Sequence, residues 1–551
     1  MRVTKSVLAG GVAALSSWSA AQAQDQLNRA NPLVIERSLP HPVEPASAHD
    51  AIVRTAPVID DPETHLAPRL ALAIVIDGAT EIPRERFVDA LVPYIGRELS
   101  TVDLEGLSRT VAGVVRREGF PFATAWIEAQ AMANDVLHVR VDGGTLSAVR
   151  VIGHSNFQAD RILTRALVTK QPVRRRPLER ALALVGDIPG VTVKETKYIR
   201  QNGFGILLVT IAEDRFSAYA QVDNRGSKEV GPIRSTIVAN ARTIFQPGDD
   251  ASIILAQTPT QPSEFAFVRV RYSAPIDADG GMLSASASYG RTAPGASLTP
   301  FDLMGYSYDF SAFYSKPILR SRARSLWGTL ELRGLRSNQT LRGFTLRNDR
   351  LATLTASVNG TMQAGSGILR GELHVTNGLP LPGVTRQSDA RISRRDGDAR
   401  FVMLSYAAEW ATPLAKHVSI ALASEGQLAS RPLLSTMEIG VGGPGFGRGY
   451  DYAERTGDNG ILGSAEARFD LGRVPRRVVD RMQVYASVDG GYVANLRGGS
   501  GGGTLLSTAA GVRVGRGRLS GMLEVALPLN KDRFNTGNRD PRVSFRLSRL
   551  F

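Results

Sequence analysis

The sequence predicts two small α+β modules followed by an all-β transmembrane barrel of about sixteen antiparallel strands. Three observations predict it. The N-terminus reads as a secretory signal, so the chain is expected to be exported. Past that signal no apolar run reaches the roughly 18 residues a membrane helix needs. At the other end, Val543, Phe545 and Leu547 alternate with Ser544, Arg546 and Ser548, and the chain closes on the aromatic Phe551. That is a strand with one apolar and one polar face. A chain that crosses lipid on strands must close them into a barrel, because hydrocarbon leaves an open sheet edge with unsatisfied amides and carbonyls.

The elements follow in order. Residues 1–23 form the signal peptide: Arg2 and Lys5, an apolar stretch, then Ala21 and Ala23 as a small-x-small cleavage site. Residues 24–69 are Pro-rich (Pro32, Pro40, Pro42, Pro45, Pro57, Pro62, Pro68) and read as a linker or plug segment, with a short helix expected over 24–37. Residues 70–144 form a first module. It has a strand over 70–77, helical spacing over 83–92, a helix N-cap at Ser100 to Asp103, a helix over 104–118, and strands over 123–128 and 136–141. The same order returns over 145–214: a strand at 146–152, helices at 160–167 and 177–184 with Gly190 as the stop, and strands at 191–198 and 205–211. From 215 to 551 helical spacing disappears. Alternating segments recur at about 15 to 25 residues, for example 266–272, 326–332, 482–488 and 519–527, each expected to span with about ten residues. Turns are expected at 248–250, 279–281 and Asn377-Gly378.

Composition narrows the function. The 551 residues carry a net charge of +14, spread as single arginines rather than as a basic patch on a recognisable module, so no nucleic-acid partner is expected. There is no cysteine, so an exported chain must rely on packing or barrel closure. The seven histidines show no metal-ligand spacing, and no Gly-x-Ser-x-Gly elbow occurs. The glycine-rich stretch 440–449 lacks the Gly-Lys-Ser/Thr ending of a phosphate loop. The chain is therefore expected to be no enzyme and to use no cofactor and no metal. Arg174 to Arg176 read as a solvated loop between helices, with contact to a substrate or to lipid headgroups as the alternative, and 498–503 as a flexible loop between barrel strands.

Three stretches carry a resemblance. The pair 119–127 and 136–144 looks like the end of a first POTRA domain, and 178–190 is similar to the helix and turn of a second. Residues 222–227 with Gly231, Gly248 and Asp249 match a first barrel hairpin. Gly-Gly-Pro-Gly-Phe-Gly-Arg-Gly-Tyr at 442–450 resembles the tip of a long extracellular loop that folds back into the barrel. The chain thus resembles the two-partner secretion transporters, the TpsB or haemolysin-secretion family. The resemblance implies that Arg448, Gly449 and Tyr450 form the loop tip. It also implies that Asp489, in Ser487-Val-Asp489-Gly490, and Glu466 are wall carboxylates that hold the guanidinium. Ser487 stands where the family has Phe, and Gly447 where it has Val. A guanidinium in a narrow lumen needs such bidentate acceptors.

The implied activity is export of a partner exoprotein, haemolysin- or adhesin-like, from the periplasm through the outer membrane. The substrate is expected to add as a strand to the second POTRA domain, on a surface including Leu178, Leu182, Val191 and Val193. Phe551 is expected to be the C-terminal assembly signal. The other expected partners are outer-membrane lipids, lipopolysaccharide and the barrel assembly machinery. Rival readings are a factor that inserts other barrels, which two modules rather than more disfavour, and a passive pore, which would need no modules.

Overall fold

The computed structural model describes residues 27–39, 55–58, 69–128, 135–201, 204–387, 389–472, 479–499 and 501–551. The expected signal peptide and most of the 24–69 segment lie outside them.

The first module is built around the helix Thr101–Arg117. Ser100 caps it, and the Asp103 carboxylate returns a bond from the Ser100 amide, so two otherwise orphaned donors are satisfied reciprocally. Its buried face (Leu104, Leu107, Val111, Val115) packs on a three-stranded sheet of Ala73–Asp77, Val136–Asp142 and Thr124–Trp126. The single strand expected over 70–77 is two: Arg69–Ala71 pairs with Arg97–Leu99, and Ala73–Asp77 pairs with Val136–Asp142. The break falls at Leu72, where the chain changes sheets.

The second module packs the helices Phe157–Leu167 and Arg175–Gly186 on a sheet ordered Thr55–Val58, Val191–Gln201, Phe204–Glu213, Ala148–Ile152. The second helix ends at Gly186 rather than at Gly190, which sits at φ +78° in the turn leading to the next strand. Tyr198 stacks on Phe122 with ring centroids 4.6 Å apart, which joins the two modules through aromatic rings. The Arg174–Arg176 run is exposed, as expected, but only Arg174 lies outside the helix, which begins at Arg175. Arg174 precedes the helix, pairs with Glu81 of the first module and lies over the Phe120 ring.

Beyond Phe216 the chain forms one closed barrel of sixteen strands, from Phe216–Asp223 to Arg542–Leu550, and the last strand pairs with the first. Alternation sorts the side chains. Phe310, Leu330, Leu332, Val525 and Leu527 are exposed on the outside, whereas Ser307, Asp309, Ser311, Ser337 and Gln339 are buried inside. This is the reverse of a soluble sheet and is what a lipid-facing wall requires. Strands run from 8 to 21 residues, longer at most positions than the ten expected. A tilted strand crosses the apolar layer in about ten residues, so the surplus projects beyond it. The Asn377-Gly378 pair closes a strand ahead of a long loop at 379–401 and makes no tight hairpin.

The second module abuts the barrel rim. Arg320 makes a bidentate pair with Asp187 at 2.7 Å on both arms, and Gln158 donates to the Asp277 carbonyl at 2.7 Å.

Candidate functional site

A short N-terminal helix lies inside the barrel. Pro32 sits at its first position, where a missing N–H costs nothing, and the Asn31 side chain caps it by accepting from the Leu33 amide. Groups on four barrel strands hold the segment that carries it. Asn31 donates to Ser337 at 2.8 Å, Gln339 to the Leu27 carbonyl at 2.7 Å, Arg347 to Asn28 at 2.8 Å, and Arg234 to Ser38 at 2.6 Å. Arg269 pairs with Glu36.

The long loop 430–458, between the strands Val418–Ala429 and Asn459–Gly472, folds back toward the wall. Arg448 at its tip is 9% exposed, and its guanidinium meets groups from three barrel strands. Nη1 donates to Glu466 at 2.9 Å and to Ser487 Oγ at 2.9 Å, lies 3.5 Å from Glu524, and Nε lies 3.4 Å from Asp489. Asp489 also accepts the backbone amides of Gly447 and Arg448, at 2.7 and 2.9 Å, and the Ser507 hydroxyl at 2.6 Å. One carboxylate thus binds the tip by its backbone as well as by its charge. Gly447 sits at φ +82°, a left-handed conformation that a β-branched side chain would strain. Gly449 backs onto the strand Leu519–Pro528, where an added Cβ would come within 2.8 Å of the Pro528 nitrogen. Tyr450 is fully buried and donates to Asn530 at 3.0 Å, while Arg542 donates to the Tyr450 carbonyl at 2.6 Å.

Arg448, Gly449, Tyr450, Glu466 and Asp489 therefore come together. Ser487, the departure from the Phe that the resemblance would place there, supplies a hydroxyl acceptor to the guanidinium. Glu524 escaped sequence reasoning. It lies 58 residues beyond Glu466 with no motif around it, yet it accepts from Tyr485 at 2.7 Å, pairs with Arg225 and faces Arg448. Arg513 completes the cluster, donating to both Glu466 oxygens at 2.8 and 2.9 Å with its guanidinium 3.8 Å from the Tyr485 ring centroid.

A second buried arginine was also missed. Arg394, 3% exposed, comes from the loop 379–401. It donates to both Asp458 oxygens at 2.8 Å, to Glu438 at 3.2 Å, to Asp396 at 2.8 Å and to the Leu496 carbonyl at 2.7 Å. Asp458 in turn accepts the Leu433 and Leu496 amides, both at 2.7 Å. Three loops (379–401, 430–458 and 495–502) are tied at one point, and Arg37 of the N-terminal helix joins them by donating to the Glu438 carbonyl at 3.1 Å.

Leu178, Leu182, Val191 and Val193 do not form a surface. All four are buried in the second module's core, because the apolar face of a helix in a two-layer module packs on its own sheet. The edge of Val191–Gln201 is covered as well: Thr55–Val58 pairs with it in parallel, Thr55 opposite Thr196 and Val58 opposite Ile199. Phe551 lies at the barrel seam, its amide donating to the Ala218 carbonyl at 2.8 Å and its ring under Arg549. Among the described residues no group of three or more His, Cys, Asp or Glu is placed to hold a metal ion.

A periplasmic module pair, a sixteen-stranded barrel and a loop arginine held on the inner wall define an outer-membrane protein translocator. Residues 205–514 match the family described as haemolysin secretion/activation protein ShlB/FhaC/HecB, and residues 72–144 match the ShlB-type POTRA domain. The chain belongs to that haemolysin secretion/activation family, whose members export partner proteins by two-partner secretion across the outer membrane. It is 21% identical over 414 residues to the heme/hemopexin transporter protein HuxB of Haemophilus influenzae, covering 73% of this chain and 72% of that one. It is 21% identical over 521 residues to the outer membrane transporter CdiB of Escherichia coli, covering 87% and 83%. The solved CdiB from Escherichia coli has the same fold, with a TM-score of 0.67 at 19% identity over 96% of this chain and 98% of the other. BamA from Haemophilus ducreyi, lacking POTRA domains 1–3, aligns with a TM-score of 0.55 at 12% identity, covering 88% of this chain and all of that one.

Proposed function

We propose that the second module receives an unfolded partner exoprotein by strand addition and that the barrel lumen conducts it outward once two closures have moved. The observation that carries this reading is the double filling of the lumen. The N-terminal helix is bonded to the wall before, at and after its six residues, and the 430–458 loop is fastened through Arg448. A chain in transit needs both out of its way. The periplasm supplies no ATP, so folding of the exported chain outside supplies the drive.

In this reading the docking strand is the edge of Val191–Gln201 itself rather than the helix face. Main-chain amides and carbonyls supply affinity there. Because Thr55–Val58 already pairs with that edge, an incoming segment takes its place, and since the same linker leads back to the N-terminal helix, docking and unplugging are linked. In this reading the modules run over 70–144 and 145–214, and the 24–69 segment serves as plug and linker while lending the strand Thr55–Val58 to the second module's sheet. The wider partners are lipids and lipopolysaccharide around the barrel, and the barrel assembly machinery reading the strand that ends at Phe551. The chain works by binding and movement, without catalysis, cofactor or metal.

The test compares the culture medium and outer membrane of a deletion strain with wild type by quantitative mass spectrometry. Loss of one large β-rich protein from the medium, with the membrane otherwise unchanged, is expected and names the substrate. A broad loss of outer-membrane barrels would overturn the reading in favour of an assembly factor.

A further inference from the structure

On the outer wall of the barrel, at its periplasmic end, an open groove of about 630 Å³ runs under the second module. Its floor comes from three neighbouring strands. Tyr314 pairs with Leu330 and Leu330 with Ala356 in one row, and Lys316 pairs with Gly328 in the next. Alternation puts these side chains outside: Asp309, Ser311 and Ser337 on the same strands are the buried, lumen-facing set, and Leu330 and Ile318 are 50% and 60% exposed. The missing side chain at Gly328 makes the hollow, and a Cβ built there would stand 3.0 Å from the end of Ile318.

The mouth of the groove is cationic. Arg180, on the helix Arg175–Gly186, reaches down to donate to the Pro317 carbonyl at 3.2 Å and forms no ion pair among the described residues. Lys316 is 3.4 Å from Asp277 and 3.9 Å from Asp279, and Asp279 is shared with Arg165 at 3.4 Å. Three cations thus face two carboxylates at the end of the barrel wall nearest the second module, the side of the periplasmic leaflet. An apolar trough that ends in surplus positive charge matches one ligand chemistry: an acyl chain followed by a phosphodiester. Lipopolysaccharide is excluded by position, since it occupies the opposite leaflet.

We propose that this groove binds one anionic phospholipid of the periplasmic leaflet, with an acyl chain over Gly328 and Leu330 and its phosphate between Arg180 and Lys316. Arg180 belongs to the module and Lys316 to the barrel, so the lipid fastens the module to the wall at the membrane surface. The site is independent of the lumen closures, and its test does not use export.

The full chain, purified in detergent, is incubated with dioleoyl phosphatidylglycerol or dioleoyl phosphatidylcholine and examined by native mass spectrometry. One retained phosphatidylglycerol is expected in excess over phosphatidylcholine. In the Arg180→Gln/Lys316→Gln pair, and separately in Gly328→Leu, the bound fraction should fall roughly tenfold. Equal retention of the two lipids, or unchanged retention in either variant, overturns the proposal. A photoreactive phosphatidylglycerol gives a reading on the unaltered chain: adducts are expected within 314–330, 356–357 or 175–186, and adducts confined to other parts of the chain also overturn it.

Discussion

Arg448 and Arg394 are both buried guanidiniums that fasten the 430–458 loop, but they bind it to different bodies. Arg448 lies on that loop and its acceptors (Glu466, Ser487, Asp489 and Glu524) stand on barrel strands, so it ties the loop to a rigid wall. Arg394 lies on a neighbouring loop, and its acceptors Asp458 and Glu438 belong to the 430–458 loop itself, so it ties loops to each other. Breaking the first is expected to free the loop tip within the lumen, and breaking the second to loosen the loops from one another while the tip stays attached. The pair teaches that burial and ion count alone do not define a gate: what matters is whether the partners move together.

The largest effect is expected at the wall. Arg448→Ala leaves Glu466, Asp489 and Glu524 facing one another with less compensation, a change on the order of 3–5 kcal/mol for a buried pair. Export of the partner, measured by immunoblot of the medium, should fall roughly tenfold or more while the barrel keeps its heat-modifiable gel mobility. Arg448→Lys should restore little of that export, since an ammonium cannot span acceptors on three strands as the guanidinium fork does. Asp489→Ala should come close to Arg448→Ala, because the carboxylate also holds two tip amides. Arg394→Ala should cost export only about two- to threefold, yet raise the frequency of open events in planar bilayer recordings, as loops bound only to each other come apart. If Arg394→Ala abolished export as fully as Arg448→Ala, the distinction between wall and loop attachment would fail. The smallest effect belongs to Ser487→Ala, a single hydroxyl bond worth about 1 kcal/mol, visible as a slight fall in melting temperature with export unchanged.

Much of this was legible in the sequence, for identifiable reasons. Period-two alternation of apolar residues announced the barrel, and its lipid-facing set is the exposed set found on the wall. The Ser100–Asp103 capping box marked the start of a helix because both partners lie within one turn. The Arg-Gly-Tyr tip and the Asp489 strand stood out as local motifs. Glu524 and Arg394 did not, because their partners lie 76 and 64 residues away and depend on strand register and on where long loops fold. The same limit explains Leu178, Leu182, Val191 and Val193. Periodicity identifies an apolar face but not what covers it, and here the module covers its own.

By itself, then, the sequence determined the run of α+β segments ahead of the barrel and the barrel's alternating strands, since each is written in patterns of a few neighbouring residues, while the loop tip was singled out by the resemblance its motif carries. Only the tertiary structure decided which carboxylates surround Arg448, that Arg394 joins three loops, that Thr55–Val58 occupies the second module's edge, and that Arg180 reaches the Pro317 carbonyl, next in the chain to Lys316. Each of those depends on bringing together residues far apart in the chain. Strand register and loop return set that proximity, and no local pattern encodes it.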